Sequence, residues 1–409
     1  MRSILNLKFK ANSLFYALVI LLLSGILLTA LIYSTYLFRV EQDLYQTEVE
    51  LVQNSRSGLK FLSAQESPYF EEWIDLFQEG ADSVKLKKYP WGTFFILSAR
   101  ASQNNRSHIK SAIAGRQNDN SFAIALRSRS YDPLTLSGRT KIVGDVYVPN
   151  SRVERGYIEG QNFVGNRLVQ GQIIDSEFKM DENLSHLKGF ISGTSMEKFE
   201  YSDFSSYIKD SLQNSFATNP IILASNDSIS IYSSISGSIA VLSQTAIYVN
   251  PDASLEHTLL IAPRVYIGSN FMGKVHVVAS EMIEIQERAI LEYPSSVSLI
   301  NEDKELRTEV HFSPQSEIRG TAVLLSENKR SSLKIDRAKI VGEVISDSYV
   351  ELKGTIFGSV IANHFLLETP SSTYEDHLLN ATVDSGQLPG QFVGTIGSLG
   401  SLKIADYVE

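Results

Sequence analysis

Residues 14–38 form an apolar run of 25 positions, rich in Leu and Ile and without a charged side chain. The hydrocarbon core of a bilayer takes about 20 such residues as a helix, so the run predicts a transmembrane segment with membrane lipid as its partner. Phe15 and Tyr16 lie at one end and Tyr33, Tyr36 and Phe38 at the other, where interfacial aromatic belts sit. Arg2, Lys8 and Lys10 precede the run, and Arg39 is followed by Glu41, Asp43, Glu48 and Glu50. The positive-inside rule therefore predicts a cytoplasmic segment 1–13 and an extracytoplasmic remainder. A cleaved signal peptide is the rival reading. Its apolar region spans roughly 7–15 residues before a small-residue site, and nothing of the Ala-x-Ala kind follows Ala30, so an uncleaved anchor is the expectation.

Beyond the run, Val40, Leu44, Leu51, Val52, Leu59 and Leu62 recur near helical spacing, and Pro68 stops the helix. Tyr69, Phe70, Trp73, Ile74 and Phe77 predict a short amphipathic helix over 69–80, with Glu71, Glu72, Asp75 and Glu79 as its solvated face. Alternation over 84–89 and 92–101, with Pro90-Trp91-Gly92 as a turn, predicts two strands. A further pair over 109–114 and 122–128 completes a small antiparallel sheet on which the helix docks. Residues 39–130 thus form a stalk helix and a small α+β region. This arrangement resembles the type IV pilins and pseudopilins, whose first helix is apolar in its N-terminal half and packs on a small sheet in its C-terminal half. The resemblance implies a role as an accessory of a pilus or secretion assembly. The processing motif of that family is absent, since no Glu occurs between Met1 and Val40.

A different period begins further on. Ile229/Ile231, Ile247/Val249, Val265/Ile267 and Ile283/Ile285 follow one another at steps of 18 residues. Ile221/Leu223, Ile239/Val241, His257/Leu259 and Val275/Val277 keep the same step, as do Ile235/Gly237, Ala253/Leu255, Phe271/Gly273 and Ala289/Leu291. Three short strands per 18 residues describe one turn of a triangular parallel β-helix whose alternate residues point inward and stack. A β-sandwich also yields short alternating strands, but not a fixed register over four turns. An independent repeat agrees: Lys141-Ile142-Val143-Gly144-Asp145-Val146 returns as Lys339-Ile340-Val341-Gly342-Glu343-Val344. Val153-Glu154 returns as Val350-Glu351, and the 156–160 segment as Gly354-Thr355-Ile356-Phe357-Gly358. The glycines suit coil corners that need positive φ. The expected fold is mainly β: first coil turns over 131–174, a helical excursion over 175–219 (Phe204, Tyr207, Ile208, Leu212), the main coil over 220–370 and a C-terminal cap over 371–409. With segments such as Gly320-Thr321-Ala322-Val323, this part resembles the bactofilins, short β-helical bacterial proteins that form polymers. That resemblance implies a scaffolding role with self-association.

Composition narrows the function. The formal charge of −9 argues against a nucleic-acid partner, because such affinity comes largely from neutralising phosphates. There is no cysteine, which removes disulfides, thiol nucleophiles and Cys-bound metals and suits a bacterial envelope. No phosphate-binding loop, nucleophile elbow or His-Glu-x-x-His motif occurs, and the seven histidines show no metal-ligand spacing. No catalytic residue, cofactor or metal is expected. His257 is singled out as a polar residue in an apolar ladder and read as a partly buried corner histidine. Tyr248 and Tyr266, one step apart and outward-facing, form a stacked pair that serves as a surface contact or simply stabilises the coil. Three functions remain: a membrane-anchored, non-catalytic scaffold of the bacterial cell envelope, an accessory of a pilus-like or secretion assembly, and a carbohydrate-active β-helix enzyme.

Overall fold

A computed structural model describes residues 11–76, 83–103, 105–117, 124–176, 187–189, 201–204, 211–397 and 400–408. It begins with one helix, α1 (Ala11–Ala64), uninterrupted because no proline falls within it. Its first half is apolar all round and lies free: Leu21, Leu27 and Leu31 are each at least 69% exposed. Its second half is amphipathic and buries Leu51, Leu59 and Leu62. These side chains rest on an antiparallel sheet of β1 (Phe70–Ile74), β2 (Ser83–Trp91), β3 (Phe94–Gln103) and β4 (Arg106–Gln117), closed by the C-terminal strand Ser401–Val408. The floor under the helix is made of small residues, with Ala99, Ala101, Ala112 and Ala114 fully buried. The helix approaches it at Gly58, where a Cβ would come within 2.7 Å of Leu86.

Two expectations fail in this region. Residues 69–76 do not form the expected helix: β1 is an extended edge strand, with Glu71 paired opposite Lys87 and Trp73 opposite Lys85. Glu71 also bonds Lys85 at 2.8 Å, so cross-strand charge pairing accounts for this carboxylate, while Glu72 lies exposed opposite Leu86. Residues 77–80, including Phe77 and Glu79, lie outside the described residues. The strand Ile124–Ser128 does not join the small sheet; it enters the coil. The fifth place is taken by Ser401–Val408, paired with β4.

The remainder is a β-solenoid of about 10 turns, built on parallel pairing. Ile229 pairs with Ile247, Val265 with Ile247, and Ile283 with Val265, all buried in one continuous core. Each rung contributes up to three strands, as Ile229–Ile231, Ser234–Gly237 and Ile239–Ser243 do. The 18-residue step ends after Ile283, which pairs with Val310. The second ladder slips at His257: a bulge between Glu256 and Thr258 puts Leu260, not Leu259, in line with Val241 and Val277. Leu259 instead faces the small sheet. In the third ladder Ile235 pairs with Leu255 rather than with Ala253.

The coil is assembled from two stretches of chain. It starts with Tyr201–Asp203 and Ser211–Asn214 and runs on to Thr382–Asp384. The earlier strands then stack on that last rung: Leu126 pairs with Val360, Ile142 with Val383, and Ile173 with Val146. The turns that come first in sequence therefore sit at the far end of the coil. The hexapeptide repeat falls in one column, since Lys339 aligns with Thr355, Thr355 with Thr382 and Thr382 with Lys141. The later part of the repeat diverges, because Tyr157–Ile158 folds into a small antiparallel hairpin. The flanks of the expected helical excursion are coil strands, while Tyr207 and Ile208 lie outside the described residues. Leu187 is buried against Ile300, Val323 and Ile345 midway along the coil, and Lys188 bonds Glu327 at 3.1 Å.

Candidate functional site

Three places carry unusual chemistry. The free half of α1 is the first: across residues 14–38 the only polar side chains are hydroxyls, and Ser24, Thr29 and Thr35 turn theirs back onto helix carbonyls at 2.7–2.8 Å. Those three hydroxyls are satisfied within the helix, as a lipid environment demands.

The second is the junction between coil, small sheet and C-terminal strand. His257 occupies the bulge with φ 56°, and its carbonyl accepts a hydrogen bond from Trp91 Nε1 at 2.8 Å. Its ring stacks on that of His276, 6.2 Å away and 18° from parallel. Phe216 lies edge-on to His257 and Phe94 edge-on to His276. His276 Nδ1 shares a hydrogen bond with Ser296 Oγ at 3.0 Å, whereas His257 Nδ1 and His276 Nε2 have no partner among the described residues. Beside them a cleft of about 360 Å³ is lined by Glu256, Lys274, Asp406 and Tyr407 among others. Lys274 Nζ lies 3.1 Å from Asp406, and His257 Nε2 lies 3.8 Å from the same carboxylate.

This junction stores a pH dependence. Burial pulls His257 down to about 4, Lys274 adds repulsion, and Asp406 opposes both. Burial and the neighbouring His257 push His276 well below the ordinary histidine value. Both shifts favour the neutral ring, so the stability that His257 contributes is complete above the unfolded value of about 6.5 and is lost as the pH falls towards 4, and His276 acts in the same direction. For His257 that window is worth roughly 3 kcal/mol. The melting temperature should drop more between about pH 7 and about pH 4.5 in the native chain than in a His257→Leu/His276→Leu variant. Equal drops in the two proteins would contradict the assignment.

The third place is the outer face of the coil. Tyr248 and Tyr266 stack with centroids 5.0 Å apart and planes within 6°. On one side the column continues to Glu284 and His311; on the other Ser230 is its last member among the described residues. A groove of about 210 Å³ runs along the flank of this pair, lined by Tyr232, Tyr248, Asn250, Tyr266, Gly268 and Gln286 among others. The tyrosine pair is legible in the 18-residue step. His276, Trp91 and Asp406 are not, because their meeting depends on how the sheet docks; the one available hint is a second histidine in a buried strand. Among the described residues no three His, Asp or Glu side chains converge on a point where a metal ion could sit.

No protein-family model matches the chain, and no curated protein matches it. Among solved structures, the competence-associated pilin ComZ from Thermus thermophilus matches over 90% of this chain and 96% of its own. The identity is 11% and the TM-score 0.19, a superposition too loose to carry an argument. The pilin resemblance therefore rests on the long apolar helix and the small sheet it packs on, and the bactofilin resemblance on the sequence pattern alone.

Proposed function

We propose that this protein is a membrane-anchored, non-catalytic structural protein of the bacterial cell envelope, whose coil presents a surface for self-association or for an envelope partner. The observation that carries this reading is the division of α1, exposed and apolar in its first half and packed on the sheet in its second. About 25 residues at 1.5 Å each span a bilayer core, and the body follows directly. Charge asymmetry supports a cytoplasmic N-terminal side and an extracytoplasmic body at the inner membrane. The net charge of −9 supports a partner other than nucleic acid. The full chain should stay with membranes through high-salt and alkaline washes, and a chain lacking residues 14–38 should move to the soluble fraction with its coil still folded. A full chain found in the soluble fraction, or a mature form starting near Leu31, would overturn the anchor.

A second reading, an accessory of a pilus or secretion assembly, is favoured by the packing of a long helix on an antiparallel sheet. It predicts that the protein leaves the membrane with sheared filaments. Retention in the membrane after shearing supports the scaffold instead.

A further inference from the structure

The tip of the β2–β3 hairpin is seated on the coil at the two stacked imidazoles. Trp91 Nε1 donates to the His257 carbonyl at 2.8 Å, and Thr93 Oγ1 shares a hydrogen bond with Thr321 Oγ1 at 2.7 Å. Between them Gly92 lies so close to the coil that a Cβ would stand 2.6 Å from Ser296 Oγ and 3.1 Å from the His276 side chain. Trp91 and Phe94 are fully buried by this seating. The His257 and His276 rings, 6.2 Å apart, complete the joint, edge-on to Phe216 and Phe94.

This joint has no place for a second positive charge. Lys274 approaches His257 from the neighbouring strand, Glu256 from its own, and Asp406 and Tyr407 from the C-terminal strand, all around one cleft. Tyr89 and Tyr293 close the apolar side. Asp406 lies 3.8 Å from His257 Nε2, but it already holds Lys274 at 3.1 Å. His276 has less: His257 is the ionisable group that acts on it, its Nδ1 is taken by Ser296, and its Nε2 is buried without a partner among the described residues. A proton placed on that nitrogen stays unpaired while the tip is seated, which is costly in a buried site. The cleft of about 360 Å³ gives water access to His257, whereas His276 is fully buried and meets solvent once the tip lifts.

We propose that His257 and His276 form a proton-operated latch: neutral, they seat the hairpin tip on the coil, and charged, they release it and free that corner of the sheet that carries α1. The latch goes beyond the anchor and does not depend on it. A ring that is neutral when seated and charged when released multiplies the released population about tenfold for each pH unit below the ordinary histidine value of about 6.5, and two such rings about a hundredfold.

The test is amide hydrogen exchange by mass spectrometry on the full chain in nanodiscs, each rate divided by its intrinsic chemical rate at that pH. From about pH 5.5 to about pH 4.5, protection of the hairpin peptide 89–97 should fall at least about tenfold, while the coil peptide 333–345 keeps its protection. In a His257→Asn/His276→Gln chain the hairpin should keep its protection over the same range; asparagine tolerates the positive φ at 257, and glutamine can still bond Ser296. Lys274→Gln supplies a second variant with both histidines in place. It frees Asp406 to pair with a charged His257, so the loss of hairpin protection should move to lower pH. The proposal is overturned if hairpin protection stays flat in the native chain, if it falls equally in the double variant, if Lys274→Gln moves the loss to higher pH, or if the coil peptide loses protection in parallel, which is global unfolding.

Discussion

Val265→Asp is expected to destabilise the coil by about 3–5 kcal/mol, because it places an uncompensated charge where no partner can reach. Val265 is fully buried between Ile247 and Ile283 in the stacked interior column. Most folded domains hold only about 5–15 kcal/mol in total, so this one substitution removes a large fraction. Its neighbour Tyr266 points outward, and Tyr266→Asp should cost roughly 1 kcal/mol, the worth of one aromatic stack on an exposed face. Chemical denaturation of the two variants checks both values. Equal losses would mean that the inside and outside of the coil have been exchanged.

Gly342→Ala carries the second large effect. Gly320, Gly342 and Gly358 lie side by side in register, with φ of 155°, 149° and 146°. A Cβ on Gly342 would fall 1.8 Å from the carbonyl oxygen of Gly320 and 2.8 Å from the ring of Phe392. The backbone strain costs about 1–3 kcal/mol and relieving the overlap about as much again. A total of roughly 3–5 kcal/mol follows, visible as a fall of the denaturation midpoint. Gly390→Ala is the control: nothing lies within 4 Å of its Cβ, and the change should stay within about 0.5 kcal/mol. A Gly342→Ala protein that melts like the native chain would show that the corner relaxes freely.

These two columns also mark how far the sequence could be read. The interior ladder was legible because parallel coils repeat one inward slot at a constant step, and Ile247, Val265 and Ile283 fill it with the same shape. The step fails after Ile283, where the longer path to Val310 changes the rung length and erases the period. Glycine marks only one kind of corner. Another uses Asn270, Arg288, Gln315 and Arg337, all with φ between 49° and 63°, and of these only the asparagine is a residue type that announces a turn. The stacking of Leu126 on Val360 was also hidden. Parallel pairing between distant stretches leaves no local trace, and the hexapeptide repeat reveals equivalent positions without their order along the axis. β1 misled because an edge strand pairs on one side only; Phe70 and Ile74 are half-buried while Trp73 is 56% exposed, and that pattern fits a helix as well. Of the candidate sites, Tyr248 and Tyr266 stand one 18-residue step apart and so were present in the ladder. The His257–His276 junction was marked only by a histidine that broke an apolar series, since its partners come from Trp91 and from the last strand.

The central claim is that α1 divides between lipid and protein, and one measurement reaches it directly. The chain has no cysteine, so single cysteines bearing nitroxide labels can be placed at Leu21, Leu28 and Tyr45 in the full chain reconstituted into liposomes. All three positions are at least 63% exposed in the protein alone, and only a surrounding bilayer can tell them apart. The account predicts that labels at 21 and 28 are relaxed by oxygen and shielded from a water-soluble nickel chelate, whereas the label at 45 is open to the chelate. Equal access of the chelate to all three would contradict it.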